Sequence, residues 1–298
     1  MPAERDRQST RGHSGHASIP LMLRVMRLLF ATLGRVLPGV MGGWAYDLWF
    51  RTRRHPESAA GQRAAAQALR ETLPVDSLPV AVYSWGSGPA VLFIHGWSGR
   101  GSQVAAFVGP LTHAGYRVIS VDAPGHGATP GDRTNIFECA AVIKAVGVAY
   151  GPLHGAITHS FGGMVLAYAM NHGVAVGRVA CLSAPARLEF LVERFAGIMN
   201  MPPTVVAELR RRLEQRFDTA IWEEISTDSN ARRLAAPALV IHDVDDDGVP
   251  WQQGQQIAAA WPGARFIKTQ GLGHNRTLRD PATVRTVVEF MTAGTAGI

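Results

Sequence analysis

Short apolar segments alternate with longer helical segments through most of the chain after residue 80. Apolar runs rich in β-branched residues predict buried strands, and the segments between them have the length and composition of helices. The predicted strands are 80–85, 90–94, 117–121, 154–158, 178–182, 238–242 and 264–269. The predicted helices are 102–114, 135–150, 164–170, 251–261 and 281–291. This alternation predicts an α/β fold whose mainly parallel, doubly wound sheet has helices on both faces.

Two parts of the chain do not follow this alternation. Residues 19–77 form an N-terminal helical extension, in which the alanine-rich segment 57–73 predicts a helix that ends before Pro74. Residues 186–235 are rich in charged residues and helix formers, and we interpret them as a helical cap inserted over the C-terminal edge of the sheet. The core is then 78–185 together with 236–298. Residues 1–18 are polar, and we expect a disordered tail there.

The segment from Pro20 to Leu37 predicts an amphipathic helix. Its apolar residues are interrupted by Arg24, Arg27 and Arg35, which argues against a membrane-spanning helix. One interpretation is that the helix packs on the rest of the protein or on a second protomer. The other is peripheral membrane contact through residues 19–55, with arginines facing anionic headgroups. The aromatic residues between 44 and 50 and the basic residues between 51 and 55 fit either interpretation.

The charge of the chain is concentrated at its N-terminal end. The net charge of +6 divides into +7 for residues 1–70 (11 Arg, 4 Asp or Glu) and −1 for residues 71–298 (18 Lys or Arg, 19 Asp or Glu). Because the body is near neutral and no basic patch with interleaved aromatic residues occurs, the sequence predicts no nucleic-acid partner. Two cysteines, Cys139 and Cys181, argue against a disulfide framework and favour a reducing, cytoplasmic location, with peripheral contact at the inner face of the membrane if the second interpretation holds.

A serine follows the predicted strand 154–158 in the sequence Ala-Ile-Thr-His-Ser-Phe-Gly-Gly, residues 156–163. A serine between a strand and a helix lies in a tight turn that exposes its hydroxyl at the C-terminal edge of the sheet. Because a serine hydroxyl is a weak nucleophile, Ser160 needs a base, an acid that orients the base, and donors for an oxyanion.

Candidates for these parts follow other predicted strands. A glycine-rich turn at 95–99 offers backbone N–H groups, and the tight loop 122–127 contains two further glycines. An acidic cluster follows the strand 238–242, and His274 comes between the last strand and the last helix.

These motifs and their order resemble the α/β-hydrolase fold family, of the bacterial esterase and lipase-like type, over residues 78–293. The motifs are His95-Gly96-Trp97, Asp122-x-Pro-Gly-His126-Gly127, His159-Ser160-Phe161-Gly162-Gly163, Asp246-x-x-Val249-Pro250 and Gly273-His274. Serine, then acid, then histidine is the chain order of that family. Thr158 departs from the pattern, which most often has glycine there.

The resemblance implies a role for each matching position. Ser160 corresponds to the nucleophile, His274 to the general base and Asp246 to the acid, with Asp245 or Asp247 as the fallback acid. The backbone N–H groups of Phe161 and Trp97 correspond to the oxyanion donors. The implied reaction is hydrolysis of a small-molecule carboxylic ester or related acyl substrate through an acyl-enzyme, with no metal or organic cofactor. A non-catalytic ligand-binding protein on the same fold, and C–C hydrolysis or perhydrolysis by the same triad, remain alternatives.

The substrate pocket is the least specific of these predictions. We expect it to be lined by Trp97 and Phe161, with further candidates at His95, His159, Phe190, Phe195 and Met199. For His95 and His126 we favour a structural role that joins neighbouring loops, and for the cap residues the alternative is a place in a hydrophobic core. Asp243, Asp245 and Asp247 are interpreted as mostly solvated loop charges. The substrate and the oligomeric state stay open.

Overall fold

The computed structural model describes residues 20–293, which contain one eight-stranded sheet. The strand order is β1-β2-β4-β3-β5-β6-β7-β8, and all strands from β4 to β8 along this order pair in parallel. Strands β1 and β2 are antiparallel to their neighbours. The strands are β1 (Leu69–Val75), β2 (Leu78–Trp85), β3 (Ala90–Ile94), β4 (Arg117–Val121), β5 (Leu153–His159), β6 (Val179–Leu182), β7 (Ala238–Asp243) and β8 (Arg265–Thr269).

Helices precede the sheet, connect its strands and follow it. A 3₁₀ turn at Gly101–Val104 leads directly into the helix after β3. The α-helices are α1 (Leu21–Val36), α2 (Pro38–Trp49), α3 (Ala59–Gln67), α4 (Ala105–His113), α5 (Ile136–Tyr150), α6 (Phe161–Asn171), α7 (Leu188–Met199), α8 (Pro203–Phe217), α9 (Ile221–Glu224), α10 (Thr227–Ala231), α11 (Trp251–Ala260), α12 (Gly273–Arg276) and α13 (Pro281–Thr292).

Helices cover both faces of the sheet, as the sequence predicts. Along β3, alternate residues belong to different hydrophobic clusters, because successive side chains of a strand point to opposite faces. Leu92 and Ile94 pack in the cluster that contains α5, α6 and α11. Val91 and Phe93 pack in the cluster that contains α3, α4 and α13. The α/β class and the doubly wound, mainly parallel sheet are therefore confirmed.

The prediction of a helix over 57–73 is wrong after Gln67. Helix α3 ends at Gln67, and the chain continues as β1, which pairs with β2 from Leu69 opposite Ser84 to Val75 opposite Leu78. Asp76 and Ser77 both have positive φ, 45° and 68°, which is the conformation of a two-residue hairpin turn. The alanines of α3 and Pro74 indicated one helix, whereas the hairpin turn has no glycine that would identify it.

The N-terminal helices pack against the helices of the cap segment (residues 186–235). A third hydrophobic cluster joins Met26, Phe30 and Met41 of α1 and α2 to Val205 and Leu209 of α8. The ring of Phe30 stacks on that of Trp44 at 4.9 Å between centroids. The first interpretation of the 20–37 segment, packing on the rest of the protein, therefore holds for one face of α1.

Other sequence-based boundaries keep the status of predictions. Four helices, α7 to α10, lie within residues 186–235, between β6 and β7. The division of the chain into core, extension and cap stays a prediction. The predicted disordered tail, 1–18, lies outside the described residues. Among the residues described, no helix has the length and apolar composition needed to cross a membrane.

Candidate active site

Ser160 lies in the sharp turn between β5 and α6. Its backbone has φ 51° and ψ −124°, a conformation that is strained for any residue with a side chain. The Ser160 N–H donates to the Leu182 carbonyl at 2.9 Å, which ties the turn to β6. A Cβ at Gly162 would lie 2.5 Å from the Ile94 carbonyl oxygen, so only glycine allows α6 to approach β3 this closely. The turn therefore holds the serine clear of the sheet.

Thr158 is accommodated beside this turn although the family pattern has glycine more often. Its side chain is fully buried at the end of β5. Gly163 lies against it on α6: a Cβ there would lie 3.4 Å from Thr158 Oγ1, an ordinary contact, but only 2.8 Å from Ala184 Cβ and 3.0 Å from Cys181 Sγ. The larger side chain at 158 is thus compatible with a tight strand–helix turn.

Asp246 and His274 form the hydrogen-bonded pair that the triad requires. The Nδ1 of His274 lies 2.8 Å from Asp246 Oδ2 and 3.1 Å from Oδ1. A carboxylate only accepts hydrogen bonds, so His274 carries its proton on Nδ1 and leaves Nε2 as an acceptor. Asp246 follows β7, and His274 lies in the one-turn helix α12 after β8. The carboxyl ends of two neighbouring parallel strands therefore bring acid and base together.

The carboxylate of Asp246 stays ionised because it has several donors. Burial acts to raise its pKa, but hydrogen bonds from His242, His274 and the Val249 N–H outweigh burial and hold the pKa well below its usual range. The N–H groups of Gly248 and Val249 both lie 2.8 Å from Oδ1. His242 is fully buried, and its Nε2 lies 3.3 Å from Oδ2 and 2.7 Å from the Val249 carbonyl. A carboxylate held in this way can stabilise a positive charge on the imidazole of a neighbouring histidine.

Asp243 is buried and organises the histidine segment, which corrects its interpretation as a solvated charge. Its Oδ1 accepts hydrogen bonds from the Gly273 N–H at 2.8 Å and the Asp245 N–H at 3.0 Å, and its Oδ2 accepts one from the Thr269 hydroxyl. The bond to Gly273 fixes the residue next to His274. Its position as the last residue of a buried strand was the available signal in the sequence. Asp245 and Asp247 are exposed, so Asp246 alone of the three candidates contacts His274.

His159 holds the backbone of the base. Its Nε2 lies 2.9 Å from the His274 carbonyl, to which it donates, and the two rings are 4.9 Å apart. The ring is buried, and burial with the nearby His274 lowers its pKa to about 4. A neutral His159 therefore positions α12 from beneath, a role that the sequence did not reveal.

His95 and His126 join two loops at the edge of the sheet. The Nε2 of His95 accepts from the Ala123 N–H at 3.0 Å, and the Nε2 of His126 accepts from the Ser98 N–H at 2.9 Å. Each Nδ1 then donates to a carbonyl, of Gly96 and Pro124 respectively. Burial lowers the pKa of both rings to about 4, which keeps them neutral. These contacts agree with the structural interpretation of His95 and His126, and His95 is not among the residues that line the cleft at Ser160.

The backbone N–H groups of Trp97 and Phe161, the predicted oxyanion donors, belong to segments on either side of Ser160: Phe161 follows it directly, and a Cβ at Gly96, the residue before Trp97, would lie 2.9 Å from Ser160 Cβ. Phe161 is the first residue of α6, where backbone N–H groups have no partner within the helix. The Trp97 and Phe161 rings pack edge to face at 5.2 Å. This contact packs the loop after β3 against the start of α6.

A cleft of about 1490 Å³ opens onto Ser160 and His274. One wall is formed by residues 55–67 of the N-terminal extension, and the others by the loop 96–103 and by residues 274–279. Trp97 and His159 are among its lining residues, and Phe190, Phe195 and Met199 are not. Phe195 packs on Trp49, and Met199 is buried in the cluster between the cap segment and the N-terminal helices. Helix α7 directs these two side chains into a core, and this corrects their assignment to the pocket.

Within residues 20–293, neither the two cysteines nor a cluster of metal-ligating side chains forms a second candidate site. Burial raises the pKa of the Cys139 thiol to about 12 and that of Cys181 to about 11, so neither is a ready nucleophile. Among residues 20–293 no group of three or more His, Cys, Asp or Glu side chains is arranged to hold a metal ion.

Curated proteins of related sequence include one named as a bromoperoxidase and one named as a carbamate hydrolase. The Mycobacterium tuberculosis protein BpoC, whose name assigns it to the non-heme bromoperoxidases, is 26% identical over 252 residues, covering 68% of this chain and 93% of that protein. A shorter match, 35% identical over 74 residues, covers 24% of this chain and 29% of RutD from Pseudomonas savastanoi pv. phaseolicola, which is named as a carbamate hydrolase.

Solved structures share the fold at low sequence identity. The crystal structure of BpoC has a TM-score of 0.58 and covers 73% of this chain and 97% of its own. An esterase from Exiguobacterium antarcticum has a TM-score of 0.59 at 16% identity, covering 76% of this chain and all of its own. A membrane phospholipase A described as a bacterial virulence factor has a TM-score of 0.60 at 20% identity, covering 93% of this chain and 99% of its own. That match extends into the N-terminal helices.

The sequence profile of the alpha/beta hydrolase family matches residues 91–287, a range that begins in β3 and ends in α13. The range includes the serine turn, the Asp246–His274 pair and the glycine-rich loop after β3. Together with the eight-stranded sheet, this match shows that the chain belongs to the α/β-hydrolase family.

Proposed function

We propose that this protein is a serine hydrolase that cleaves carboxylic esters or related acyl substrates, with Ser160 as nucleophile, His274 as base and Asp246 as acid. The observation that carries the proposal is the hydrogen bond between His274 Nδ1 and Asp246 Oδ2, 2.8 Å long, in a cleft that Ser160 also lines. A histidine oriented in this way keeps Nε2 free for a proton from the serine.

In the first half of the reaction, Ser160 Oγ attacks the carbonyl carbon of the substrate while His274 Nε2 takes the hydroxyl proton. The negative charge that develops on the carbonyl oxygen is stabilised by the N–H groups of Trp97 and Phe161. When the tetrahedral intermediate collapses, the bond to the leaving alcohol breaks and His274 gives it the proton. The acyl group remains bonded to Ser160.

In the second half, water attacks the acyl-enzyme as His274 Nε2 removes one of its protons. The same N–H groups stabilise the second oxyanion, and Ser160 leaves with the proton from His274. The products are a carboxylic acid and the free enzyme. Water enters the reaction as the only other reactant.

The choice of an ester or related acyl substrate is supported by two kinds of observation. Ser160 lies between the first turn of α6, which begins at Phe161, and the glycine-rich loop that carries Trp97, and backbone N–H groups at these places suit a reaction in which a carbonyl oxygen gains charge. Among the structural neighbours, one is named an esterase and another a phospholipase A, names that agree with ester hydrolysis.

The test is labelling of the full chain with a fluorophosphonate probe, followed by a panel of p-nitrophenyl esters of increasing acyl length. We expect covalent labelling at Ser160 and turnover of at least one ester. In Ser160→Ala, labelling disappears and turnover falls by several orders of magnitude, while the thermal unfolding transition is retained. Wild-type protein that is neither labelled nor active on any ester would contradict the proposal.

A further pair of variants separates the acid from its neighbours. Asp246→Asn leaves His274 without an anionic partner, so we expect kcat to fall by roughly 10³–10⁴-fold. Asp247→Asn, a matched change at an exposed neighbour, is expected to leave kcat unchanged. Equal activity of the two variants would remove Asp246 from the triad. If the protein were a non-catalytic binder, the wild type would show no turnover, and Ser160→Ala would still bind the ligand.

A further inference from the structure

Helix α1 has two apolar faces, of which only one is covered. Met26, Phe30 and Gly34 form the covered face. A Cβ at Gly34 would lie 2.8 Å from Pro202 and 2.9 Å from Val205, which shows how tightly this face packs on the start of α8. The opposite face faces solvent.

The uncovered face forms a continuous strip. Six of its residues lie on α1, where most recur every three to four positions and so lie along one side of the helix; the other two, Leu37 and Val40, follow at the junction with α2 and in the first turn of α2. Of the eleven large hydrophobic side chains that are exposed among the described residues, eight lie between residues 21 and 40. We call these eight the exposed apolar strip: Leu21, Met22, Val25, Leu28, Leu33, Val36, Leu37 and Val40. Leu21 and Val36, near its two ends, are both 75% exposed. Contiguous apolar surface of this kind marks an interaction site.

The charged residues within the segment that carries the strip are all basic. Residues 20–46 contain Arg24, Arg27 and Arg35 and no Asp or Glu. Arg24 is exposed and neighbours Leu21 and Leu28 by helical spacing, so it borders the strip. Arg35 is also exposed and lies on the same border, one turn beyond Thr32.

Two of the basic residues that follow α2 make contacts within the protein. Arg51 pairs with Asp47 at 3.0 Å, and Arg54 donates to the carbonyls of Gly127 and Thr129. The aromatic residues that the sequence placed beside them are also packed inside, as in the Trp49–Phe195 contact. The surface that combines exposed apolar side chains with cations is therefore the outer face of α1.

We propose that the exposed apolar strip docks α1 on a lipid surface that carries anionic headgroups. A helix with an apolar face and flanking cations lies in the membrane interface, where the apolar side chains leave water and the arginines attract anionic lipids. The inner face of α1 stays packed on α8, so docking needs no unfolding of the N-terminal extension. The proposal does not depend on the identity of the nucleophile.

A second copy of the chain fits the strip less well. A two-fold contact would place the same surface on both subunits and bring the arginines of one strip close to those of the other. No acidic residue of residues 20–46 is available to compensate them. Anionic headgroups supply the complementary charge that a second strip lacks.

The test is flotation of the full chain with phosphatidylethanolamine vesicles that contain phosphatidylglycerol, at low salt, with phosphatidylcholine vesicles as the neutral comparison. We expect binding to the anionic vesicles, weakening as salt is raised. The double variant L21E/L28E places two carboxylates in the strip, and we expect its vesicle affinity to fall by at least tenfold. Arg24→Gln is expected to lower the affinity by about fivefold, the effect of roughly 1 kcal/mol per basic residue.

The matched control is L69E/V148E, which makes the same change at two exposed hydrophobic residues outside the strip, 61% and 83% exposed. We expect it to retain most of the binding, and we expect both double variants to keep the wild-type melting temperature and ester turnover. Failure of the wild type to float with anionic vesicles, or equal binding of the two double variants, would overturn the proposal. So would a wild-type dimer in light scattering that L21E/L28E abolishes while vesicle binding is unchanged.

Discussion

At the scale of single residues, the backbone of Ser160 stores strain that serves the placement of its hydroxyl. With φ 51° and ψ −124°, the residue occupies a region that only glycine enters freely. The surrounding contacts hold it there, through the Leu182 carbonyl on one side and the close approach of Gly162 to β3 on the other. Such strain persists only where neighbouring structure imposes it.

This strain predicts that two substitutions of Ser160 abolish activity alike but differ in stability. Ser160→Gly removes the hydroxyl and relieves the backbone, whereas Ser160→Ala removes the hydroxyl and keeps the strain. Both variants are expected to be inactive, and Ser160→Gly to be more stable than Ser160→Ala by about 1 kcal/mol, after the greater flexibility of glycine in the unfolded chain is subtracted. Urea unfolding of both proteins measures the difference. Equal midpoints would mean that the turn is not strained.

Gly248 affects the site through the absence of a side chain. A Cβ there would lie 2.9 Å from His274 Cγ and 3.1 Å from Asp246 Oδ1, so the acid and base can meet only across a glycine. We expect Gly248→Ala to displace the imidazole and lower kcat by at least tenfold, with little change in unfolding free energy. Gly197→Ala is the matched control, because nothing lies within 4 Å of the added atom. Activity of Gly248→Ala equal to that of this control would contradict the geometry.

At the scale of elements, the contact of α2 with α8 attaches the N-terminal extension to the cap segment. A Cβ at Gly42 would lie 2.6 Å from Glu208 Cβ and 2.1 Å from its Cγ, so the helices touch at this glycine. Glu208 in turn pairs with Arg212 at 2.8 Å, and Arg212 donates to the Gly39 carbonyl. The two segments, far apart in the chain, therefore form one packed layer of helices.

The contact predicts different effects for two glycines of the same helix. Gly42→Ala forces α2 away from α8, and we expect the free energy of unfolding to fall by about 1–3 kcal/mol. Gly39→Ala has nothing within 4 Å of its new atom, so helix propensity should leave stability equal or slightly raised. Thermal unfolding of the two variants makes the comparison. Similar melting temperatures would show that the α2–α8 contact does not contribute to stability.

At the scale of the whole molecule, three buried histidines make stability depend on pH. His95, His126 and His159 join separate loops of the site, and burial lowers the pKa of each to about 4. In the unfolded chain these rings titrate at about 6.5. Between these values the unfolded state binds protons that the folded state does not bind, so stability falls as pH falls through this window.

We therefore expect the free energy of unfolding to be highest above about pH 6.5 and to drop by several kcal/mol on approaching pH 4. Urea unfolding at about pH 7, 6 and 5 measures the slope, which corresponds to as many as three protons. His126→Gln removes one of these groups and is expected to reduce the slope by about one proton. A stability independent of pH over this range would contradict neutral, buried histidines.

The sequence determined the parts of this protein that depend on local pattern and on order along the chain. Apolar runs separated by helical segments predicted the parallel strands and their helices, because burial on both faces requires continuous apolar strands. The positions of Ser160, Asp246 and His274 after three of these strands predicted their meeting at one edge of the sheet. The hydrogen bond between Asp246 and His274 agrees with that expectation.

Only the tertiary structure decided features that depend on contacts between distant segments. Strand β1 forms because it pairs with β2, whereas the pattern of its own residues predicted the end of a helix. Phe195 and Met199 are apolar, as pocket residues often are, but the packing of α7 against the N-terminal helices places them in a core. A wall of the cleft is formed by residues 55–67 instead. Asp243 and His159 orient the base through hydrogen bonds to its backbone segment, which no local pattern records. Side-chain type and periodicity specify which residues are buried. The contacts between distant segments specify which partners those residues are packed against.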